Sequence, residues 1–253
     1  MAALVAAVFL MSGFLAQASA HPQDEFCEAG MQIDMELCLQ LSKLDSAQGS
    51  NVLKDDAGNV RSPLSAAIYF AKIGIDHILP GGTDHILFVL ALFLAAKTTR
   101  NLILQISVFT IAHTVTLGLT AAGVIEPPAS IVEPLIALSI AVVAVETLFK
   151  SEPSKWRLLI IFGFGLFHGM GFAGFVREIG LPPEQFWPSL IGFNVGVEIG
   201  QLSVIVLAAL LAWPVKLMLA RTNISYRAAV IIPASLIIAA IGLWWFIARS
   251  LGL

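Results

Sequence analysis

From residue 64 onward, the chain is a series of apolar runs separated by short polar joints. The runs cover residues 64–79, 84–97, 101–122, 131–149, 158–177, 187–212 and 229–248. All but the first two are long enough to cross about 30 Å of hydrocarbon at about 1.5 Å per residue. Hydrophobic residues make up 58% of the chain and charged residues only 12%, so we predict an all-α polytopic membrane protein.

Basic residues fall in alternate joints between the runs: Lys97 and Arg100, then Lys150, Lys155 and Arg157, then Lys216, Arg221 and Arg227. The positive-inside rule places these joints in the cytoplasm. With an external N-terminus, residues 64–97 must then cross an odd number of times, most simply as one span broken at Pro80-Gly81-Gly82. This predicts about six spans, or seven if the N-terminal segment is not exported.

The N-terminal region is predicted to consist of two parts outside the bundle. Residues 1–20 are typical of a signal peptide with a small-residue cleavage site, although no Lys or Arg precedes the apolar core, so a retained anchor is the alternative. Residues 21–63 form an acidic extracytoplasmic leader. Its Cys27 and Cys38 favour a disulfide in an oxidising compartment, with free thiols or a metal pair as alternatives. Residues 64–253 form the transmembrane bundle.

The stretch "GIDHILPGGTDHILF", residues 74–88, repeats Asp-His on either side of the Pro-Gly-Gly break. Helices break at membrane depth only where the freed backbone is buried in protein or lines a polar cavity. Asp84 is predicted to cap the second helical piece. Capping leaves Asp76, His77 and His85 unexplained, so this break is a candidate functional site.

Ionisable residues on four separate runs are predicted to share one layer near the middle of the membrane. Counted from the cytoplasmic ends, His85, His113, His168 and Glu198 lie at depths of about 16–22 Å. A charged Glu at mid-bilayer costs at least about 2.5 kcal/mol, which indicates a functional role or a strong partner. Glu133 and Glu146, nearer the ends of their run, are weaker candidates.

The run that contains Glu198 is predicted to have two packing faces. Glycines recur every four residues on one face, at Gly192, Gly196 and Gly200, a pattern that permits close helix approach. Asn194, Glu198 and Gln201 follow the opposite face. The glycine-rich segment "FGFGLFHGMGFAG" around His168 also indicates close backbone contact.

Imidazole and carboxylate groups together suit Ni, Co or Zn, whereas Cu(I) prefers sulfur ligands. The predicted metal ligands are His77, Asp84, His85, His113, His168 and Glu198, and the predicted supporting polar residues are Asp76, Asn194 and Gln201. Asp76 would support a histidine tautomer from the other half of the break. Proton coupling through the same groups is an alternative.

Four motifs, "GIDHILPGGTDHILFVLALFL", "FTIAHTVTLGL", "FGLFHGMGFAG" and "FNVGVEIGQL", resemble the hydrogenase/urease accessory membrane protein family (HupE/UreJ) over about residues 70–210. The resemblance implies a nickel or cobalt permease of the bacterial inner membrane that supplies metalloenzyme maturation proteins. It predicts no enzymatic activity and no nucleic-acid partner. Two alternatives stay open: an intramembrane zinc hydrolase in which Glu198 or Asp84 activates water, and a non-transporting accessory or assembly factor.

Overall fold

The computed structural model of the protein describes residues 61–149, 156–172 and 185–253, in which all regular secondary structure is helical. These residues belong to one compact unit, Asn51–Leu253. The predicted signal peptide, the acidic leader and the pair Cys27 and Cys38 lie outside the described residues. The all-α prediction is confirmed for the described part of the chain.

The described residues form seven α-helices in this order: α1 Pro63–Ile78, α2 Thr83–Ala95, α3 Thr99–Ala121, α4 Ala129–Phe149, α5 Arg157–Gly171, α6 Phe186–Leu219 and α7 Ile232–Leu251. A π-helical turn, Arg227–Ile231, runs directly into α7. Helix α5 ends at Gly171, earlier than predicted. Helix α6 extends seven residues past the predicted end at residue 212 and contains Pro214.

The predicted break between the first two runs is confirmed. Helix α1 begins after Ser62, whose hydroxyl accepts a hydrogen bond from the Ser65 amide, with Pro63 at its first position. Helix α2 begins after Gly82 and makes an angle of 73° with α1. The predicted capping of α2 by Asp84 is wrong: Gly82 is the N-cap, and Asp84 lies in the first turn with its carboxylate bonded to Arg249.

Four described segments are long and apolar enough to cross a membrane: α3, α4, α6, and the π-helical turn together with α7. The bent pair α1 and α2 brings the number to five if it forms one span. Helix α5 is apolar but has only 15 residues, so the predicted count of six stays a prediction. Large apolar side chains such as Ile111, Leu159 and Leu210 are exposed on the outer faces, as expected of helices that contact lipid.

Glycines allow three pairs of helices to pack closely. Helix α1 lies along α6, where a Cβ added to Gly192 or Gly196 would meet the backbone of α1. Helix α5 lies along α3 in the same way at Gly165 and Gly169, and α7 lies along α4 at Gly242. The close approach predicted for the glycines of α6 is confirmed, and so is that for Gly165 and Gly169 beside His168, whereas Gly163 faces open space and Gly174 lies outside the described residues.

One end of the bundle, which we call the basic end, gathers the starts of α3, α5 and α7 and the last turn of α4. Arg227 donates hydrogen bonds to the carbonyls of Thr147 and Leu148, which end α4. Lys97 and Arg100 lie beside the start of α3, and Arg157 is the first residue of α5. From α2 onward, successive helices therefore run alternately toward and away from this end, while α1 lies parallel to α6.

Candidate metal centre

Two histidines meet across the break between α1 and α2. His77 lies in the last turn of α1, and His85 lies in the first turn of α2. Their ring centroids are 4.7 Å apart, although eight positions separate them in the sequence. His85 is buried and His77 is half-buried. The sharp bend therefore turns the repeated Asp-His pattern into a pair of facing imidazoles.

A third imidazole comes from α3. The His113 ring is fully buried, with its centroid 5.8 Å from that of His85. One ring nitrogen from each of His77, His85 and His113 lies within 4.8 Å of the other two. Three potential ligand atoms from three helices thus converge on one point inside the protein.

His168, on α5, completes what we call the histidine cluster, which consists of His77, His85, His113 and His168. Its ring is 1% exposed, and its centroid lies 4.8 Å from that of His85. The group of three closely spaced ligand atoms does not include His168. It is therefore a fourth imidazole at the edge of the group.

The side chain of Asn194 fixes the tautomer of His113. The Asn194 amide donates to the Leu190 carbonyl, which leaves its Oδ1 as an acceptor 3.4 Å from His113 Nδ1. His113 Nδ1 therefore carries the proton, and Nε2 keeps its lone pair. Within the described residues, His113 Nε2 is buried without a hydrogen-bond partner, as expected of a ligand atom that is held ready by a bond to the other ring nitrogen.

The hydroxyl of Ser139 fixes the tautomer of His168. Its hydroxyl lies 2.6 Å from the Ile136 carbonyl and 2.9 Å from His168 Nε2. A hydroxyl has one proton to donate, and the carbonyl can only accept, so the serine oxygen accepts from His168 Nε2–H. His168 Nδ1 then has a lone pair, and it is buried without a hydrogen-bond partner in the described part of the chain.

Aromatic rings enclose the histidine cluster. The ring centroid of Phe172 lies 4.0 Å from that of His77 and 4.9 Å from that of Phe193. The ring centroid of Phe109 lies 5.0 Å from that of His168, on the side of the cluster that faces the basic end. The cluster is therefore bounded by aromatic rings, and the form of imidazole that binds metals is the neutral one.

The family model described as HupE / UreJ protein matches residues 54–249. The chain belongs to the HupE/UreJ family. Neither a curated protein nor a solved structure matches the chain. The matched range contains α1 to α6, all of α7 except its last two residues, and all four histidines of the cluster, so the centre lies within the part of the chain that the family model matches.

Three acidic residues predicted to take part in the centre are not members of the group of close ligand atoms found among the described residues. Asp84 is next to His85, but Arg249 Nη2 lies 3.2 and 3.1 Å from its two carboxylate oxygens. Glu198 is half-buried and lies outside the group of close ligand atoms among the described residues. Asp76 is exposed, so the predicted support of a histidine by an aspartate is not observed.

Neutral side chains, rather than carboxylates, make the hydrogen bonds that support the centre. Asn194 was predicted as a supporting residue, and the structure gives it the bond to His113. Gln201, on the same face of α6, accepts a hydrogen bond from Thr110 on α3 at 3.2 Å. Ser139 was missed by sequence reasoning. The available signal was a single hydroxyl in the otherwise apolar stretch "LIALSIAVVAV".

Proposed function

We propose that this HupE/UreJ protein transports a divalent transition-metal ion, Ni²⁺ or Co²⁺, across the inner membrane, with the basic end facing the cytoplasm. The observation that supports this most directly is the convergence of His77, His85 and His113 nitrogens within 4.8 Å, on three different helices. Neutral imidazoles are ligands that suit these ions. Ionisable residues inside a membrane bundle usually belong to a substrate pathway.

The spacing of the ring nitrogens suits binding followed by release. Imidazole nitrogens lie about 2.0–2.1 Å from an ion such as zinc, so two of them bound to one ion are at most about 4.2 Å apart. The group, which reaches 4.8 Å, must contract slightly to hold the ion. A transport site must bind its ion loosely enough to release it.

We assign the bound ion to the histidine cluster and give Asp84 and Glu198 a different role. Asp84 contacts Arg249 in this conformation, so it meets a passing ion only after that pair separates. Glu198 lies one turn along α6 from Asn194. Both carboxylates attract the cation along its path without forming part of the bound state.

Uptake of Ni²⁺, Co²⁺ and Zn²⁺ into proteoliposomes tests the proposal. We expect saturable uptake of Ni²⁺ or Co²⁺ by the intact protein and its loss in His113→Ala. Ser203→Ala is the matched control, because Ser203 is exposed and donates to the Ile199 carbonyl of its own helix. Purified protein that retains zinc stoichiometrically but moves no metal would overturn transport in favour of an intramembrane metal-dependent enzyme.

A second experiment, deletion of the leader, distinguishes a transporter from an accessory or assembly factor. Deletion of leader residues 21–60 keeps the Ser62 cap of α1 and all four histidines, so we expect the shortened protein to retain most of its metal flux. An assembly factor that works through its leader would lose its effect on metalloenzyme maturation while never showing flux in liposomes.

A further inference from the structure

Three layers of side chains follow one another from the histidine cluster toward the basic end, on the same three helices. Their members recur at three- to four-residue spacing or a multiple of it: His113, Phe109 and Gln105 on α3, Ser139, Val143 and Glu146 on α4, and His168, Ile161 and Arg157 on α5. Residues with this spacing share one helix face. The three helices thus present one continuous column.

The middle of this column is an apolar layer made of Phe109, Val143 and Ile161. These side chains are 1%, 2% and 0% exposed and belong to one hydrophobic cluster. The Phe109 ring lies 6.1 Å from His113 and 5.0 Å from His168. No hydrated ion passes through a layer packed this tightly, so the structure is closed between the histidine cluster and the basic end.

Below the apolar layer is an ion-pair layer made of Gln105, Glu146 and Arg157. Arg157 Nη1 lies 2.8 Å from Glu146 Oε2, and its Nε donates to Gln105 Oε1 at 2.7 Å. The Arg157 and Glu146 side chains are only 5% and 15% exposed. Counted along the helices, this layer is about 10–16 Å from the histidine level.

Stability alone is a weak reason for such a pair. A buried ion pair contributes little compared with well-packed apolar residues, because both charges lose their water. Arg157 Nη2 is also buried without a hydrogen-bond partner in the described ranges, so the pair is incompletely satisfied. The pair does, however, join α5 to α3 and α4 across the column, on the side of the apolar layer away from the histidine cluster.

We propose that Arg157, held by Glu146 and Gln105, is the gate on the basic side of the path that leads from the histidine cluster. This inference rests on the proposed transport function. The gate is closed in this structure. Release of the ion toward the basic end requires Arg157 to leave Glu146 and Gln105, so that α5 separates from α3 and α4 and the apolar layer opens.

The test uses a cysteine placed between the gate and the histidine cluster. Val143→Cys is buried in the apolar layer, so a charged, membrane-impermeant thiol reagent applied at the basic end should not modify it in the otherwise intact full-length protein. The same protein without Val143→Cys reports any labelling of Cys27 and Cys38. With Arg157→Gln added, we expect labelling at least about tenfold faster, which corresponds to about 1.4 kcal/mol in favour of the open state.

Arg227→Gln is the matched control. It removes an arginine that bonds to the end of α4 but lies outside the column, and we expect it to leave the labelling rate of Val143→Cys unchanged. The charge swap Glu146→Arg with Arg157→Glu restores the pair, so slow labelling should return. Thermal melting identifies any variant that fails to fold, and the swap keeps the test valid if Arg157→Gln is one of them.

The outcomes separate the gate from the transport function. Equal labelling rates in intact and Arg157→Gln proteins, both folded, would overturn the gate while leaving metal uptake untouched. Fast labelling in both Arg157→Gln and Arg227→Gln would also overturn it, because the effect would be general loosening at the basic end. If the intact protein moves no Ni²⁺, Co²⁺ or Zn²⁺ in liposomes, the proposed function fails, whatever the labelling shows.

Discussion

Arg249 Nη2 lies 3.1 Å from Asp84 Oδ2 and 3.2 Å from Oδ1, and so joins the last turn of α7 to the first turn of α2. The guanidinium also donates to the Glu133 carbonyl and lies 5.2 Å above the ring of Trp245. The pair neutralises a carboxylate that is adjacent in sequence to His85. In this conformation, Asp84 therefore ties α7 to α2.

Asp84→Asn and Arg249→Gln should have similar and modest effects. Both side chains are partly exposed, at 24% and 22%, so we expect each variant to lose up to about 1 kcal/mol of stability, or about 2–4 °C in Tm. The double variant should melt no lower than either single one. Metal stoichiometry, measured by titration calorimetry, should not change. Loss of metal binding in Asp84→Asn alone would instead make Asp84 a ligand.

Asn194→Ala should weaken metal binding without abolishing it. Removal of the Oδ1 acceptor frees the His113 ring to change tautomer and orientation, and partners of this kind typically affect metal affinity by about 10–100-fold. The measurement is the Kd for Ni²⁺ in detergent. In the His113→Ala background the substitution should have little further effect, and full additivity of the two changes would contradict the proposed coupling.

Ser139→Ala should reduce both stability and metal affinity, because it leaves His168 Nε2–H buried without an acceptor. The cost of an unsatisfied buried donor is about 1–3 kcal/mol. Ser203→Ala is the control, since that hydroxyl is exposed and bonds within α6. Thermal melting and Ni²⁺ titration of the two variants side by side test this. Equal changes in Tm and in Ni²⁺ affinity for the two variants would contradict a role for Ser139 in supporting the centre.

Gly196→Ala should destabilise the bundle and weaken metal binding together. A Cβ at this position meets the backbone of Ala71, so α1 must move away from α6, and overpacking of this kind costs about 1–3 kcal/mol. Because α1 carries His77, the histidine cluster is disturbed as well. Gly163→Ala is the matched control: its Cβ enters open space, and alanine favours a helix over glycine by about 1 kcal/mol.

The sequence predicted those features that depend on position along a helix. The break at Pro80-Gly81-Gly82, the glycine faces and the shared depth of His85, His113 and His168 all follow from counting residues. The structure brings these three histidines together. Counting gives depth but not direction around the helix axis. Glu198 was therefore expected in the cluster, although it lies outside the group of close ligand atoms.

Contacts between distant parts of the chain were not predictable in this way. Asp84 was expected to cap α2, but its partner Arg249 is 165 positions away. Arg157 was counted as one more basic residue of a joint, whereas it is buried against Gln105 and Glu146. A single sequence shows the charge of each group but not which charge it meets after the helices pack.

The angle between α1 and α2 and the affinity of the histidine cluster for its ion are coupled. His77 and His85 lie on opposite sides of the 73° bend, so any change in that angle changes the distance between two of the imidazoles. Linkage makes the effect reciprocal: an ion that binds one angle more tightly must also favour that angle. In the proposed transporter, the bend would thus convert the binding of a single ion into a movement of two helices.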